Sequence, residues 1–299
     1  MHRKAFLRNT SLTLTGLAFL NSAAWAQFIA DPSWKIKMLN DTIGVFTEKG
    51  GTILFMLGKE GIVVVDSQFP EQAKHLVEEL TKRSGLPFQL LINTHHHGDH
   101  SGGNIAFKNL VPHVVAHANS KINQERVAKE KNTVATQLFP DQTYTDTWSK
   151  KMVDEEIALH YFGAGHTNGD SFVHFKKANI VHVGDLVFNR RHPFVDRSSG
   201  ANIGNWISVL DKGLETFDEK TIFVGGHAAE GYDILLTKAD INAFRNYLSQ
   251  LLIFVAAQIK AGKPKDEILK STEIPGATEW KGDGIDRPLT AAYEELTLR

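Results

Sequence analysis

The sequence predicts an α+β domain in which β-sheets are covered by helices, and two observations carry this prediction. Short apolar runs rich in β-branched residues alternate with segments whose apolar residues recur at helical spacing. The chain of 299 residues is 42% hydrophobic and 22% charged, which is typical of a globular protein that buries a sizeable core. No linker, internal repeat or low-complexity tract divides the chain, so we expect one domain from residue 27 to residue 299.

In the first half, strands are predicted where β-rich runs end at turn residues, at 42–47, 52–57, 62–65, 88–93 and 114–117. The first two flank Glu48-Lys49-Gly50-Gly51, which is typical of a hairpin turn. The run 62–65 is continuously apolar, as in a strand buried on both faces. Helices are predicted at 70–84, from near Gly103, and at 119–131.

In the second half, residues 132–150 form a polar stretch, and we predict a loop there. Strands are predicted at 157–161, 171–175, 180–183 and 221–224. Helices are predicted at 203–216 and 239–261, and a helical tail follows.

The first 26 residues differ from the rest of the chain. Arg3, Lys4 and Arg8 provide a positive start, residues 11–20 are a short apolar stretch, and Ala24-Trp25-Ala26 places small residues where a signal peptidase cleaves. We predict a Sec-type signal peptide over residues 1–26, cleaved after Ala26, and therefore a periplasmic or secreted protein. The apolar stretch is shorter than the ~20 residues that a membrane span needs, so no span is expected after signal removal.

Charge and cysteine content narrow the range of partners and cofactors. The chain has 33 basic and 34 acidic side chains, which gives no electrostatic reason to expect nucleic acid or an anionic membrane as a partner. A small-molecule substrate is the expected partner, and no feature predicts the oligomeric state. Cysteine is absent, so imidazole and carboxylate groups would have to hold any metal, which suits zinc better than copper(I) or an iron–sulfur cluster.

Histidines are concentrated in the segment that follows the strand predicted at 88–93. Four of the fourteen histidines fall within the six residues from His95 to His100. His95 and His97 should point the same way because side chains of an extended segment alternate with period two, so they can bind one cation together. Asp99 and His100 follow Gly98, where the backbone can turn and direct them to a second position.

Three later segments also place a metal-ligand type beside glycine: Gly165-His166, Gly184-Asp185 and Gly225-Gly226-His227. Small residues at such corners let the chain approach a crowded site closely. The seven candidates comprise five imidazoles and two carboxylates. Three histidines make a zinc site with one open position, and the other groups suffice for a second metal.

The run His95-x-His97-x-Asp99-His100, followed in order by His166, Asp185 and His227, resembles the metallo-β-lactamase superfamily. The resemblance implies a four-layer αββα sandwich of two mixed β-sheets flanked by helices, with two Zn²⁺ ions at one edge. It implies that His95, His97 and His166 bind the first zinc, that Asp99, His100 and His227 bind the second, and that Asp185 bridges both. Asp66 matches an aspartate that braces the metal loop, and His96 falls at a variable position, either beside the ligands or exposed.

The resemblance also implies a hydrolase. A zinc-bound hydroxide, oriented by the catalytic Asp99, would attack the carbonyl of a lactam, a lactone or a related amide or ester. Two alternatives stay open. One is an iron-dependent periplasmic sulfur or redox enzyme on the same fold, and the other is a thioesterase similar to glyoxalase II, which export disfavours.

Two features separate the chain from typical antibiotic-degrading members of this family. Asp185 stands where zinc β-lactamases usually have Cys or Ser, and Phe188 stands where one subclass has a lysine for the drug carboxylate. Arg190, Arg191 and Arg197 lie close by in sequence and are candidates for binding a substrate anion instead.

Overall fold

The computed structural model describes residues 33–298, so the predicted signal peptide lies outside the described residues. From Ile36 to the last described residue, the chain forms one compact unit. Among residues 33–298, none of the helices combines the length and the apolar character that a membrane crossing requires.

A seven-stranded sheet is built from the first half of the unit, in the order β1-β2-β3-β4-β5-β6-β7. The pairs β2–β3 and β3–β4 are antiparallel, whereas β4 to β7 pair in parallel. Its strands are β1 (Lys35–Met38), β2 (Ile43–Thr47), β3 (Ile53–Gly58), β4 (Gly61–Val65), β5 (Phe88–Ile92), β6 (Val114–His117) and β7 (Gln142–Tyr144).

A six-stranded sheet follows, in the order β13-β12-β11-β10-β9-β8, and only its β11–β12 pair is parallel. Its strands are β8 (Thr147–Lys151), β9 (Glu156–His160), β10 (Phe172–Phe175), β11 (Ile180–Asn189), β12 (Ile222–Ala228) and β13 (Leu235–Leu236). Both sheets are therefore mixed.

The helices are α1 (Pro70–Arg83), α2 (Gly98–Ser101), α3 (Ala118–Glu130), α4 (Ile203–Thr216), α5 (Lys238–Lys260), α6 (Lys265–Ile268) and α7 (Asp286–Thr297). Short 3-10 helices lie at Gly102–Phe107, Val134–Thr136 and Arg197–Ser199. Helix α1 begins at Pro70, whose fixed φ suits a first helical position. Helix α5 begins with a reciprocal capping box between Thr237 and Asp240.

Two apolar clusters hold the layers together. The first joins the facing sides of the two sheets through residues such as Val63, Ile92, Leu159 and Val173. The second packs the helices α4, α5 and α7 onto the other side of the six-stranded sheet, around the fully buried Trp206. The predicted four-layer αββα sandwich is confirmed.

Three sequence predictions of local structure were wrong. Residues 132–150 are not a loop, because they contain β7 and most of β8. Strand β8 lies at the edge of its sheet, and of its five side chains only that of Trp148 is apolar, so it lacks the apolar alternation that marks a strand. Strand β11 continues to Asn189 instead of ending at residue 183, and the helix expected from Gly103 begins at Gly98 as α2 and continues as a 3-10 helix.

Candidate metal centre

The seven predicted ligands come together at one edge of the sandwich. His95, His97, Asp99 and His100 follow the carboxyl end of β5, with the last two on α2. His166 lies between β9 and β10, whereas Asp185 and His227 lie on the neighbouring strands β11 and β12. The pairing of β11 with β12 is irregular around Gly184, and such a bulge redirects the side chains next to it.

His95, His97 and His166 form the first group of donors. Nε2 of His95 is 3.1 Å from Nδ1 of His97, and Nε2 of His166 is 2.9 Å from the same Nδ1. Two nitrogens bound tetrahedrally to one zinc would be about 3.3 Å apart, since each Zn–N bond is about 2.0–2.1 Å. Three ring nitrogens at this spacing fit the first coordination shell of one ion.

Asp99, His100 and His227 form the second group of donors. Nε2 of His227 is 3.1 Å from Oδ2 of Asp99 and 3.4 Å from Nε2 of His100. The His100 nitrogen is 3.9 Å from the same Asp99 oxygen. A nitrogen, nitrogen and oxygen set at this spacing also fits a zinc ion.

Asp185 is buried between the two groups and faces each of them with a different oxygen. Its Oδ2 is 3.6 Å from Nε2 of His166 and 4.0 Å from Nε2 of His95. Its Oδ1 is 3.1 Å from Nε2 of His100 and 3.5 Å from Nε2 of His227, but no hydrogen bond satisfies this buried oxygen. A buried carboxylate oxygen without a hydrogen-bond partner is costly unless a cation satisfies it.

The electrostatics of the two groups differ. Burial lowers the pKa of His166 to about 3 and holds that of His95 well below its usual value, so both rings are neutral and can donate a lone pair. Burial opposes a charge on His100 too, but the carboxylates of Asp185 and Asp66 outweigh it and hold the pKa of His100 well above its usual value. The second group therefore favours positive charge.

Of the two carboxylates among the donors, Asp99 is more exposed than Asp185, and 30% of its side chain is accessible. Burial of the group opposes its ionisation, yet the hydrogen bond from His227 and the charge of His100 lower the pKa of Asp99 to about 2. Asp99 is therefore a carboxylate at neutral pH, at the solvent-facing side of the donor groups.

Two glycines allow the close packing of the second group. A Cβ added at Gly51 would overlap the ring of His100, and a Cβ added at Gly226 would overlap Oδ1 of Asp185. These glycines are needed for close approach, because any side chain would displace a donor.

Hydrogen bonds behind the donors fix their orientation. Oδ2 of Asp66 lies 2.7 Å from Nδ1 of His100, which leaves Nε2 of that ring to face the second group. Oδ2 of Asp196 lies 3.0 Å from Nε2 of His97, which leaves Nδ1 of that ring to face the first group. His96 is buried and contacts Asp196 and Ser199, so of its two predicted positions it occupies the one beside the ligands.

Comparisons with known proteins identify the family. The model of the metallo-beta-lactamase superfamily matches residues 47–227, which is more than half of the chain and spans all seven donors. The chain belongs to the metallo-β-lactamase superfamily.

Individual members of the superfamily are distant relatives. The chain is 26% identical over 211 residues to metallo-beta-lactamase IND-1 of Chryseobacterium indologenes, which covers 69% of this chain and 84% of that protein. It is 25% identical over 205 residues to a metallo-beta-lactamase type 2 of Elizabethkingia meningoseptica, and this alignment covers 66% of this chain and 79% of that protein. Members of this superfamily are hydrolases and depend on metal ions.

Solved structures of other members have the same fold. A metallo-beta-lactamase from Pontibacter korlensis superimposes with a TM-score of 0.61 at 18% identity, over 72% of this chain and 99% of that chain. Metallo-beta-lactamase IND-7 gives a TM-score of 0.59, also at 18% identity, over 74% of this chain and 100% of that chain. At this identity the likeness concerns the fold alone.

This metallo-β-lactamase-fold protein has an open cavity of about 320 Å³ in front of the donors, and Asp99, Asp185 and His227 contribute to its wall. Of the three arginines predicted to bind a substrate anion, only Arg191 lines this cavity. Arg190 lies in a neighbouring cavity, where its guanidinium contacts Glu279 and Trp280. Arg197 forms an ion pair with Glu295.

Two residues of the site were not predicted from the sequence. Asp196 contacts His97 across 99 positions of the chain, and Arg287 of α7 lines the cavity from beyond the segment that the family model matches. Neither residue belongs to a local motif, so no spacing in the sequence could have indicated it.

Proposed function

We propose that this protein is an exported, zinc-dependent hydrolase that binds two metal ions and hydrolyses the acyl C–N or C–O bond of a lactam, a lactone or a related amide or ester. The observation that carries the proposal is the position of Asp185, whose two oxygens face two separate groups of donors. A carboxylate in that position is suited to bridge two cations.

Each zinc ion would be held by one of the two groups of donors that the interatomic distances define. One zinc would be held by His95, His97 and His166, the other by Asp99, His100 and His227, and Asp185 would contact both. Donor chemistry supports zinc, because imidazole nitrogen and carboxylate oxygen are its ordinary ligands when cysteine is absent. The unsatisfied buried oxygen of Asp185 supports a cation at this place.

Zinc, when bound, lowers the pKa of a coordinated water to about 7 and polarises a carbonyl oxygen. The side chains around it determine how the reacting groups are placed. Asp99 is ionised and faces the cavity, so it can accept a hydrogen bond from the attacking water and orient it toward the carbonyl carbon. Phe188 stacks on the ring of His227, and Phe194 packs beside His97, so both limit the access of water to the donors.

The relatives carry the name metallo-beta-lactamase, which supports a cyclic amide as the first substrate class to test. Asp185 supports the wider range of lactones and esters, since β-lactamases usually have a sulfur or hydroxyl ligand at its position. Export rests on the first 26 residues of the chain.

The test is metal analysis and hydrolysis by the purified mature protein. We expect two zinc ions per chain and chelator-sensitive hydrolysis of nitrocefin or of one member of a panel of lactones and esters. Hydrolysis of a glutathione thioester alone would favour the thioesterase alternative. His166→Ala should lose zinc and activity, whereas His113→Ala should lose neither, because His113 is half-exposed and pairs with Asp141 away from the site. Bound iron with oxygen uptake on a persulfide would refute the proposal and favour the redox alternative.

A further inference from the structure

His182 is a fully buried histidine that does not belong to the donor set, although it precedes Asp185 on the same strand, β11. Its Nε2 is 2.9 Å from the carbonyl oxygen of Thr52, and its Nδ1 is 2.9 Å from the backbone nitrogen of Gly184. A carbonyl can only accept and a backbone N–H can only donate, so the ring carries its proton on Nε2 and accepts a hydrogen bond at Nδ1. Burial lowers the pKa of His182, which keeps the ring in this neutral form.

The hydrogen bond to Gly184 lies where β11 departs from regular strand geometry. Side chains of a regular strand alternate between its two faces, and Val181 and Val183 lie in the apolar cluster on the helix side of the sheet. A regular strand would therefore turn Asp185 to that same side. Pairing with β12 is instead irregular between His182 and Gly184, and Gly184 has a left-handed φ of 51°. This irregularity turns Asp185 toward the donors.

Thr52 holds the ring of His182 from the opposite sheet. It lies just before β3, and it donates its backbone N–H at 3.0 Å and its hydroxyl at 3.1 Å to the carbonyl oxygen of Gly226. Gly226 in turn precedes the donor His227 on β12. The hydrogen bond at Nε2 therefore fixes the imidazole at a junction of the two sheets, with Nδ1 directed at Gly184.

The backbone N–H of Gly184 is the group that depends on this ring. Gly184 is buried, and a buried backbone N–H needs an acceptor, which Nδ1 of His182 supplies. Without that acceptor the backbone would favour another conformation at the irregularity. The carboxylate of Asp185, the next residue, would turn with it.

We propose that His182 is a positioning residue for the second metal ion, because its bond to the N–H of Gly184 holds Asp185 in the orientation that faces both donor groups. The assignment rests on the proposed function, since Asp185 is a bridging ligand only if two metal ions bind. The two bonds of the ring have separate effects. The bond at Nε2 fastens the two sheets to each other, whereas the bond at Nδ1 sets the direction of the carboxylate.

Two substitutions of nearly equal shape separate these effects. His182→Asn keeps an acceptor for the N–H of Gly184, because asparagine side chains commonly accept from the backbone two residues onward, whereas His182→Leu has none. Both lose the bond to Thr52 and should unfold at a lower urea concentration than the wild type. The affinity of the full mature chain for the second zinc, titrated against a chromophoric chelator, should stay within about threefold in His182→Asn and fall about 10- to 100-fold in His182→Leu.

His117 is the matched control, because it is also buried and makes the same two kinds of bond. Its Nε2 is 2.9 Å from the carbonyl oxygen of Thr145, and its Nδ1 accepts from the backbone N–H of Asn119 at 3.3 Å. Neither partner adjoins a donor in the sequence. His117→Asn and His117→Leu should therefore lower the urea midpoint and leave both zinc affinities unchanged.

The outcomes distinguish this assignment from the proposed hydrolysis. Equal second-zinc affinities in the two His182 variants would overturn the assignment, because the acceptor at Nδ1 would then make no difference. His182→Ala takes the place of the leucine variant if the latter does not fold. A wild-type chain that binds a single zinc would contradict the dinuclear centre and the assignment with it. Two zinc ions and the expected difference between the variants, without hydrolysis of any substrate, would support the assignment and contradict only the hydrolysis.

Discussion

Asp66→Asn is expected to disable the second donor group by changing the tautomer of His100. Asp66 is fully buried and accepts hydrogen bonds from the backbone N–H of Thr94 at 2.8 Å, the Thr94 hydroxyl at 2.7 Å and Nδ1 of His100 at 2.7 Å. An asparagine can keep the first bond through its carbonyl oxygen. Its NH₂ would then face Nδ1 of His100, which must become the acceptor, so the ring proton moves to Nε2, the atom that faces the second group.

The magnitude follows from the bonds that change. All three hydrogen bonds lose their charge assistance, and the two at Oδ2 must also reverse direction, which should lower the free energy of unfolding by about 2–4 kcal/mol. For a chain of this size that corresponds to a fall in Tm of about 5–10 °C. Affinity for the second zinc should fall by about 10- to 100-fold, as for other changes behind a metal-bound histidine.

Urea unfolding of the chelator-treated protein and zinc titration against a chromophoric chelator measure the two effects. Glu155→Gln is the matched control, because Glu155 is also a buried carboxylate that accepts three hydrogen bonds, here from the backbone N–H groups of Glu156, Lys177 and Ala178. It should lose a similar unfolding free energy and still bind two zinc ions. Retention of a wild-type second site in Asp66→Asn would refute the tautomer argument.

Three further substitutions test other parts of the structure. Gly226→Ala should reduce zinc affinity at least tenfold, because the new Cβ would displace Oδ1 of Asp185, whereas Gly85→Ala, where a Cβ meets nothing within 4 Å, should have no effect in the same titration. Trp206→Ala should lower the free energy of unfolding by about 3–5 kcal/mol, measured in urea, and a loss below about 1 kcal/mol would contradict its place in the core. Burial lowers the pKa of His174 to about 4. As the pH falls, this imidazole is therefore protonated in the unfolded chain before it is protonated in the folded protein, and the free energy of unfolding should decline between about pH 6.5 and pH 4. His174→Gln should remove about 1–2 kcal/mol of the difference in unfolding free energy between pH 7.5 and pH 5, and an unchanged difference would show that this ring is not responsible.

Much of the fold could be predicted because its central strands are continuous apolar runs. Strand β4 is buried along its whole length, and β5 leads from a buried run directly into the histidine motif. The edge strand β8 could not be predicted, since a strand with one free edge needs no apolar alternation. The strand predicted at 180–183 is too short because Gly184-Asp185 resembles a turn in the sequence. In the structure β11 continues past Gly184, since it pairs with β12 on both sides of the irregularity.

The donor set was predictable for a different reason: its residues sit beside glycines in a fixed order. What surrounds the donors was not predictable. Asp196 and Arg287 reach the site only because a loop and a C-terminal helix fold back onto it. The three candidate arginines were predicted only from their closeness in sequence to Asp185. Arg191 lines the cavity, whereas ion pairs hold Arg190 and Arg197 away from it.

The run from His95 to His100 supplies two donors to each group, which has a consequence for the unfolded chain. Those four donors stay within six residues of one another when all tertiary structure is lost, so an unfolded molecule keeps part of its affinity for zinc. A ligand that binds both states stabilises the folded one only by the ratio of the two affinities. His166, Asp185 and His227, far along the chain, supply that ratio, so zinc should raise Tm by less than its dissociation constant from the folded protein would suggest.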